Sequence, residues 1–416
     1  MSTGRIQAPR GTFDVLPEQA AARVAVEAQA RRVLESAGYE RVETPAFEAT
    51  ELFARGVGEA TDVVQKEMYS FDDGGGRSMT LRPEGTAPVC RAYAEHGMHK
   101  RPQPVRLWYL SSFFRHESPQ AGRFRQFWQV GAEALGSDDP AVDAESIVLL
   151  AELLEALGVR EVVLHLSSLG SPDVRSAYRD ELRDYLREHQ DRLSPGVRER
   201  INLNPLRAFD ADDPGTREVM ASAPRLLERL SGEDAEHFAE VRSLLDAAGL
   251  AYEVDATLVR GLDYYTRTVF EFESAELGAQ SGVGGGGRYD GLVEALGGPP
   301  TPGCGWAAGV ERILLAGDPP PEAPPPLDLF VAFETGQRRP AFALAAEARR
   351  AGLRAQLELA GRSLKGQLKQ ADRLGARFVA ILADDGAALR DMESGEQREV
   401  DSGSVTAEVL RGRGVR

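Results

Sequence analysis

Lysine is nearly missing from this chain: Lys66, Lys100, Lys365 and Lys369 are the only four in 416 residues. With a formal net charge of -16, that shortage excludes a general nucleic-acid coat protein, because non-specific binding runs on clustered cations. Cysteine is scarcer still. Cys90 and Cys304 stand without partner spacing, which excludes a disulfide framework or cysteine zinc site and points to a reducing cytosol. No run of 18 apolar residues occurs, and the polar N-terminus has no apolar leader-like stretch. A cytoplasmic protein of two or three domains is expected.

Aromatics make up only 7% of the chain, so their crowding between Val105 and Leu135 stands out. This stretch reads as two strands joined by a loop carrying Arg115, His116, Glu117 and Arg123. Strand alternation places Arg125, Phe127, Gln129, Gly131 and Glu133 on one face. A soluble sheet turns apolar groups inward, so such a face either meets water or lines a cavity for something polar. Gly131, with no side chain, is expected to leave a floor on which a small ligand could rest.

On the N-terminal side, Pro17 to Ala37 reads as an amphipathic helix stopped by Gly38, followed by a short strand ending at Pro45. Glu84 sits in a proline-glycine turn ahead of Thr86, where a capping role and a functional one are both open. Asp143 to Leu157 reads as a helix and Val162 to Leu166 as a strand. From Ser171 to Gly249 the texture is charged and helical with proline breaks, as in an insertion separate from the sheet. The sheet resumes at Tyr252 and runs through Leu258-Val-Arg-Gly-Leu-Asp-Tyr-Tyr265, with Arg260 beside a flexible glycine. Gly282, Gly284 and Gly287 match a dinucleotide fingerprint formally, but no strand precedes them and no ribose-binding acid follows. A backbone held close to a ligand, or a tight sheet turn, explains them better than a nucleotide-dependent dehydrogenase. Pro302 to Leu315 reads as a glycine-broken strand feeding a helix that carries Arg312.

A proline-rich linker, Asp318 to Pro326, ends this part. Beyond it the pattern is β-α-β-α-β, which predicts a small α/β domain. From Leu327 onward 15 Lys+Arg face 13 Asp+Glu, a balance of +2. Lys365, Lys369 and Arg373 share one face of its second helix, a candidate phosphate contact.

Taken together these segments resemble the class II aminoacyl-tRNA synthetases, and within them the histidyl-tRNA synthetase family, over nearly the whole chain. The helix and strand ending at Pro45 resemble motif 1, Phe114-Arg-His-Glu117 through Gln129 motif 2, and Gly305 to Arg312 motif 3. Leu258 to Tyr265 and Gly285-Gly-Gly-Arg-Tyr-Asp-Gly291 resemble the two histidine-specific signatures. Two spellings depart from the pattern: glycine stands where a cysteine often precedes the glycine triplet, and Cys304 and Trp306 are unusual in motif 3.

The resemblance implies an α+β fold. Its catalytic domain (1–325) would hold a six-stranded antiparallel sheet with flanking helices and a helical insertion near 171–249; an α/β anticodon-binding domain would cover 327–416. It implies activation of L-histidine with ATP and Mg²⁺, then transfer to tRNA(His), by a homodimer formed through motif 1, with no membrane and no structural metal. Arg115 would meet the α-phosphate, Glu117 the adenine edge, Phe127 the adenine face, Arg123 the terminal phosphates and Arg312 the far side of ATP. Glu84, Thr86 and Gln129 would take the histidine amino group, Glu133 and Tyr264 the ring nitrogens, and Tyr265 would wall the pocket. Arg260 would be the fixed cation beside the α-phosphate and the histidine carboxylate. The insertion is expected to support tRNA docking, so that its deletion spares adenylate formation. The rival is the family's non-catalytic paralogue, a regulatory subunit of ATP phosphoribosyltransferase; it typically lacks the anticodon domain and the Arg260 signature.

Overall fold

A computed structural model describes residues 5–58, 61–118, 122–258, 261–278, 281–319, 326–384 and 386–413. The chain forms two compact units that divide between residues 322 and 323.

The first unit opens with α1 (Pro17–Ser36), started by a proline in its first turn and burying Val26, Ala30, Val33 and Leu34. Strand β1 (Glu40–Arg41) follows, then β2 (Phe47–Ala49), α2 (Thr50–Val57), β3 (Tyr69–Asp72), β4 (Ser78–Leu81) and α3 (Thr86–Glu95). Strands β2, β4 and β3 make a small antiparallel sheet of their own. The long hairpin is β5 (Val105–Phe114) with β6 (Gln126–Leu135), paired from Val105↔Leu135 to Phe114↔Gln126. Next come α4 (Pro140–Ala156), β7 (Val162–Ser168), α5 (Pro172–Glu188), α6 (Pro195–Arg200), α7 (Pro214–Ala221), α8 (Gly232–Ala247) and β8 (Glu253–Val254). The unit closes with β9 (Thr266–Ser274), β10 (Gly282–Arg288), α9 (Leu292–Ala295), β11 (Gly303–Gly309) and α10 (Val310–Ala316).

The main sheet runs β1-β5-β6-β11-β10-β9-β7-β8. It has eight strands where six were expected. The six long central strands are antiparallel throughout, as expected. The two additions are two-residue edge strands that pair parallel, β1 on β5 and β8 on β7, too short to carry any periodicity in sequence. One face of the sheet (Trp108, Val130, Ala132, Ala134, Trp306, Phe270) packs into a core with α1, α4 and α8. The opposite face carries Leu107, Tyr109 and Phe113 into a second cluster with α3 and α9.

The glycine run is neither a turn nor a linker. It is the central strand β10, and its lack of side chains lets its neighbours close in: a Cβ on Gly286 would stand 2.0 Å from the Gly305 carbonyl, and one on Gly287 2.4 Å from that of Thr268.

The helical insertion is less separate than its composition suggests. Helix α8 belongs to the main core through Phe238, Val241 and Leu245. The core of α5 to α7 includes Tyr265 and Val269 of the sheet side, with Leu258, Leu262 and Tyr264 packed on it. Deleting the insertion would strip these residues of their packing, which counts against the expectation that adenylate formation survives deletion.

The second unit has β12 (Leu329–Phe333), α11 (Arg338–Arg350), β13 (Ala355–Leu357), α12 (Leu364–Arg373), β14 (Phe378–Ala383), β15 (Gly386–Asp391), β16 (Gln397–Val400) and α13 (Val405–Arg413). Its β13-β12-β14 pairs are parallel and β14-β15-β16 antiparallel, around a core of Leu329, Val331, Ala341, Ala345, Ala380 and Val409.

Candidate active site

The polar face of β6 is set by alternation, and its neighbours in register are Leu107, Tyr109, Ser111 and Phe113 on β5 and Gly305, Ala307 and Gly309 on β11. Gly131 does not form a bare floor. Tyr109, directly opposite, lays its ring over it: a Cβ there would be 2.3 Å from the tyrosine Cζ, and one on Gly85 2.4 Å from the same atom. The missing side chains at Gly85 and Gly131 serve to seat a tyrosine, and the hollow lies further along the strand.

That hollow has a volume of about 480 Å³ and is lined by Arg115, Glu117, Arg123, Phe127, Gln129 and Arg312, with the backbone of Gly282 to Gly285. All five ATP-site candidates therefore border one cavity. Arg115 donates from Nε to the Pro83 carbonyl (2.9 Å) and lies over the Phe127 ring, 5.4 Å from its centroid. Glu117 stands 3.9 Å from Arg115 and 3.4 Å from Arg123. Arg312 is fixed by donation to the Gly282 carbonyl at 2.5 Å, and burial together with nearby Arg123 holds its pKa down. The Oε1 atom of Gln129 is buried without a hydrogen-bond partner among the described residues. A buried acceptor of that kind is costly unless something binds it.

Of the histidine-site candidates only Gln129 borders that hollow; Glu84, Thr86, Glu133, Tyr264 and Tyr265 form a second, largely buried group outside its lining. Glu84 caps α3, accepting from the Thr86 and Ala87 amides at 2.7 and 3.0 Å, so the capping reading holds structurally. Thr86 in turn donates its hydroxyl to Glu133 Oε1 at 2.8 Å. Glu133, 0% exposed, also accepts from Tyr109 (3.2 Å) and Tyr289 (2.5 Å). Burial pushes the Glu133 carboxyl up to about 8, against the lowering influence of the Tyr289 and Thr86 hydroxyls. Gly305 makes room for it, since a Cβ there would sit 1.8 Å from Oε2. Tyr264 packs against Tyr289 and Tyr265, with ring centroids 5.8 and 4.7 Å away. Tyr265 itself is buried in the insertion's core.

Arg260 lies outside the described residues; Gly261, next to it, lines the cavity. Lys365, Lys369 and Arg373 are all exposed on α12 of the second unit. Among the described residues no cluster of three or more His, Cys, Asp or Glu could hold a metal, and no helix is long and apolar enough to cross a membrane.

Sequence reasoning missed Tyr109 and Tyr289 as the groups holding Glu133. The first was readable in principle, because Tyr109 pairs with Gly131 in the hairpin register. The second could not be read, because it depends on how β10 ends. Arg288, the residue before Tyr289, is fully buried on the other side, held by Asp143 at 2.5 Å, which also takes His237 at 2.8 Å. Burial would raise the Asp143 carboxyl, but the His237 hydrogen bond and Arg288 outweigh it and hold it below its ordinary value.

Residues 11–313 match the family model for histidyl-tRNA synthetase, and 333–411 that for an anticodon binding domain. The chain is 49% identical to a histidine–tRNA ligase of Halorhodospira halophila over 99% of both proteins. It is 47% identical to one of Thermosynechococcus vestitus over 98% of this chain and 97% of that protein. Among solved structures, apo histidyl-tRNA synthetase of S. aureus superposes with a TM-score of 0.81 at 34% identity, covering 97% of this chain and all of the other.

Proposed function

The chain belongs to the histidyl-tRNA synthetase family, and from that premise we propose the roles of its site residues. The protein is a class II histidine–tRNA ligase: histidine and ATP yield histidyl-adenylate and pyrophosphate, and the histidyl group then passes to the 3′ end of tRNA(His). What carries the site assignment is one cavity bordered by Arg115, Arg123 and Arg312, with Gln129 on its wall; the buried Glu84–Thr86–Glu133 group, joined to Gln129 along β6, is assigned to histidine.

Activation asks for positioning and for positive charge where negative charge develops. The histidine carboxylate is already an anion, so its attack on the α-phosphorus needs no side-chain base. Arg115 and Arg260 flank that phosphorus. Arg123 takes the terminal phosphates, Arg312 the far side of the nucleotide, Phe127 the adenine face and Glu117 its edge. Mg²⁺ bound to ATP would share the charge on the departing pyrophosphate. Gln129, whose buried oxygen has no partner among the described residues, takes the amino group with Glu84 and Thr86. Glu133 and Tyr264 read the imidazole nitrogens, and Tyr265 walls the pocket. An apolar amino acid would leave these buried groups unpaired, a basis for rejecting competitors by about 10⁴–10⁵ without proofreading.

An anticodon-binding domain (327–416) takes the anticodon arm, with Lys365, Lys369 and Arg373 among its phosphate contacts. The catalytic domain (1–325) dimerises through the motif 1 region. The exposed Leu16, Val24, Phe47 and Phe71 support such an interface. The protein works in the cytoplasm. Histidine-dependent ATP–pyrophosphate exchange, followed by charging of tRNA(His), tests the whole reading. A purified protein inactive in both, as a regulatory paralogue would be, overturns it.

A further inference from the structure

Arg175 stands on α5, outside every role assigned above, yet its guanidinium is turned into the catalytic body. One nitrogen donates to two backbone carbonyls, those of Asp263 and Tyr265, each at 2.8 Å, and the other lies 3.7 Å from the Asp263 carboxylate. Those carbonyls bracket Tyr264. On its other side the same segment is tied to the sheet's unit by the Asp263 amide, which donates to Val57 O at 3.1 Å. The insertion holds the segment again through packing, since Tyr265 lies in one core with Tyr178 and Leu182 of α5. Arg207, also of the insertion, lines the cavity, and one of its nitrogens is 3.5 Å from where a Cβ on Gly261 would stand.

We propose that Arg175 is a positioning residue for histidine activation, a splint by which the helical insertion fixes Tyr264 and the segment from Gly261 to Tyr265. The physical reason is that Gly261 to Tyr265 lie in no strand: β9 begins only at Thr266. Their carbonyls must find donors elsewhere, and the two hydrogens of one Arg175 nitrogen, Nη1, reach two of them. The insertion is thus a working part of the first chemical step, before any tRNA arrives. The inference rests on the reading that Tyr264 contacts the histidine ring.

The test is pyrophosphate exchange by the full-length protein carrying Arg175→Ala, Arg175→Lys or Tyr264→Phe, with KM for histidine and for ATP measured separately and folding followed by thermal melting. Arg175→Ala is expected to raise KM for histidine by about 10-fold or more, the scale of a small misplacement in a site, with KM for ATP within about twofold. Arg175→Lys, which keeps the charge but ends one bond short of the Nη1 that makes both contacts, is expected to fall between. A merely structural role would lower the active fraction, hence kcat, and leave both KM values alone. If Tyr264→Phe raises KM for histidine and the Arg175 variants do not, the splint is refuted while the site reading stands. If Tyr264→Phe has no effect either, the site reading itself fails. Should Arg175→Ala not fold, Arg175→Lys decides: an unchanged KM for histidine overturns the proposal.

Discussion

An exposed glutamate is an anion at neutral pH, but Glu133 is enclosed under three hydroxyls and its carboxyl is pushed up to about 8 by burial. Between its ordinary value of 4.5 and about 8 the folded state holds a proton that the unfolded chain has released, so this group's contribution to stability falls as pH rises through that window. Without ligands, Glu133→Gln is expected to melt progressively higher relative to the unaltered protein as pH is raised from about 5 to about 8.5. Thermal melts across that range check it; a constant difference would contradict it. Arg260→Ala is expected to lower histidine-dependent pyrophosphate exchange by about 10²–10³-fold, the scale for losing one preorganised donor, and a loss under about threefold would remove it from the chemistry. At this scale the sequence was informative about which side chains carry charge into the site and silent about what holds them. Glu133 was picked out by strand alternation, whereas its hydroxyl partners come from β5, α3 and the end of β10, three places that no local pattern joins.

Five of the six long strands and several of the helices were legible as elements, because each is long enough to show its period: α1, α4, β5, β6, β9, α11 and α12 lie close to where periodicity put them. Strand β10 was not, since a run of glycine carries no hydrophobic signal, and β15 and β16 were missed. The cost of filling that strand region can be stated. Gly305→Ala would place a methyl 1.8 Å from Glu133 Oε2 and 2.6 Å from the Ala132 carbonyl, and neither can retreat. Exchange activity is expected to fall to near background while ATP binding, read by equilibrium dialysis, persists. One strand over, Arg288 pins β10 to α4 and α8 through Asp143 and His237. Arg288→Met would remove the buried cation facing Asp143 and leave His237 to hold that carboxylate, with an expected loss of about 3–5 kcal/mol. A lowered denaturant midpoint at unchanged slope would report it.

At the level of the whole molecule the charge is the guide. A protein of net charge -16 that handles tRNA must concentrate its contacts, and the three exposed cations of α12 offer such a place. Replacing Lys365, Lys369 and Arg373 together by alanine is expected to raise KM for tRNA and flatten its dependence on salt, since each lost phosphate contact removes about one counterion from the slope. Pyrophosphate exchange, which involves no tRNA, is expected to be unchanged; a parallel fall would mean that the variant damages the fold. The division into two units was readable from the proline-rich linker, whereas the tie between insertion and catalytic body was not. A charged helical segment looks solvated in sequence whether or not its hidden face is shared, and only the packing of Tyr265 among α5 residues reveals the sharing.

The glycine strand has one more consequence. Where β10 and β11 run together, several positions admit no side chain at all, so drift in sequence has almost nothing to work on there. Any route by which this pocket comes to accept a different amino acid must therefore pass through its rim and its few polar anchors, and the floor itself stays closed to change.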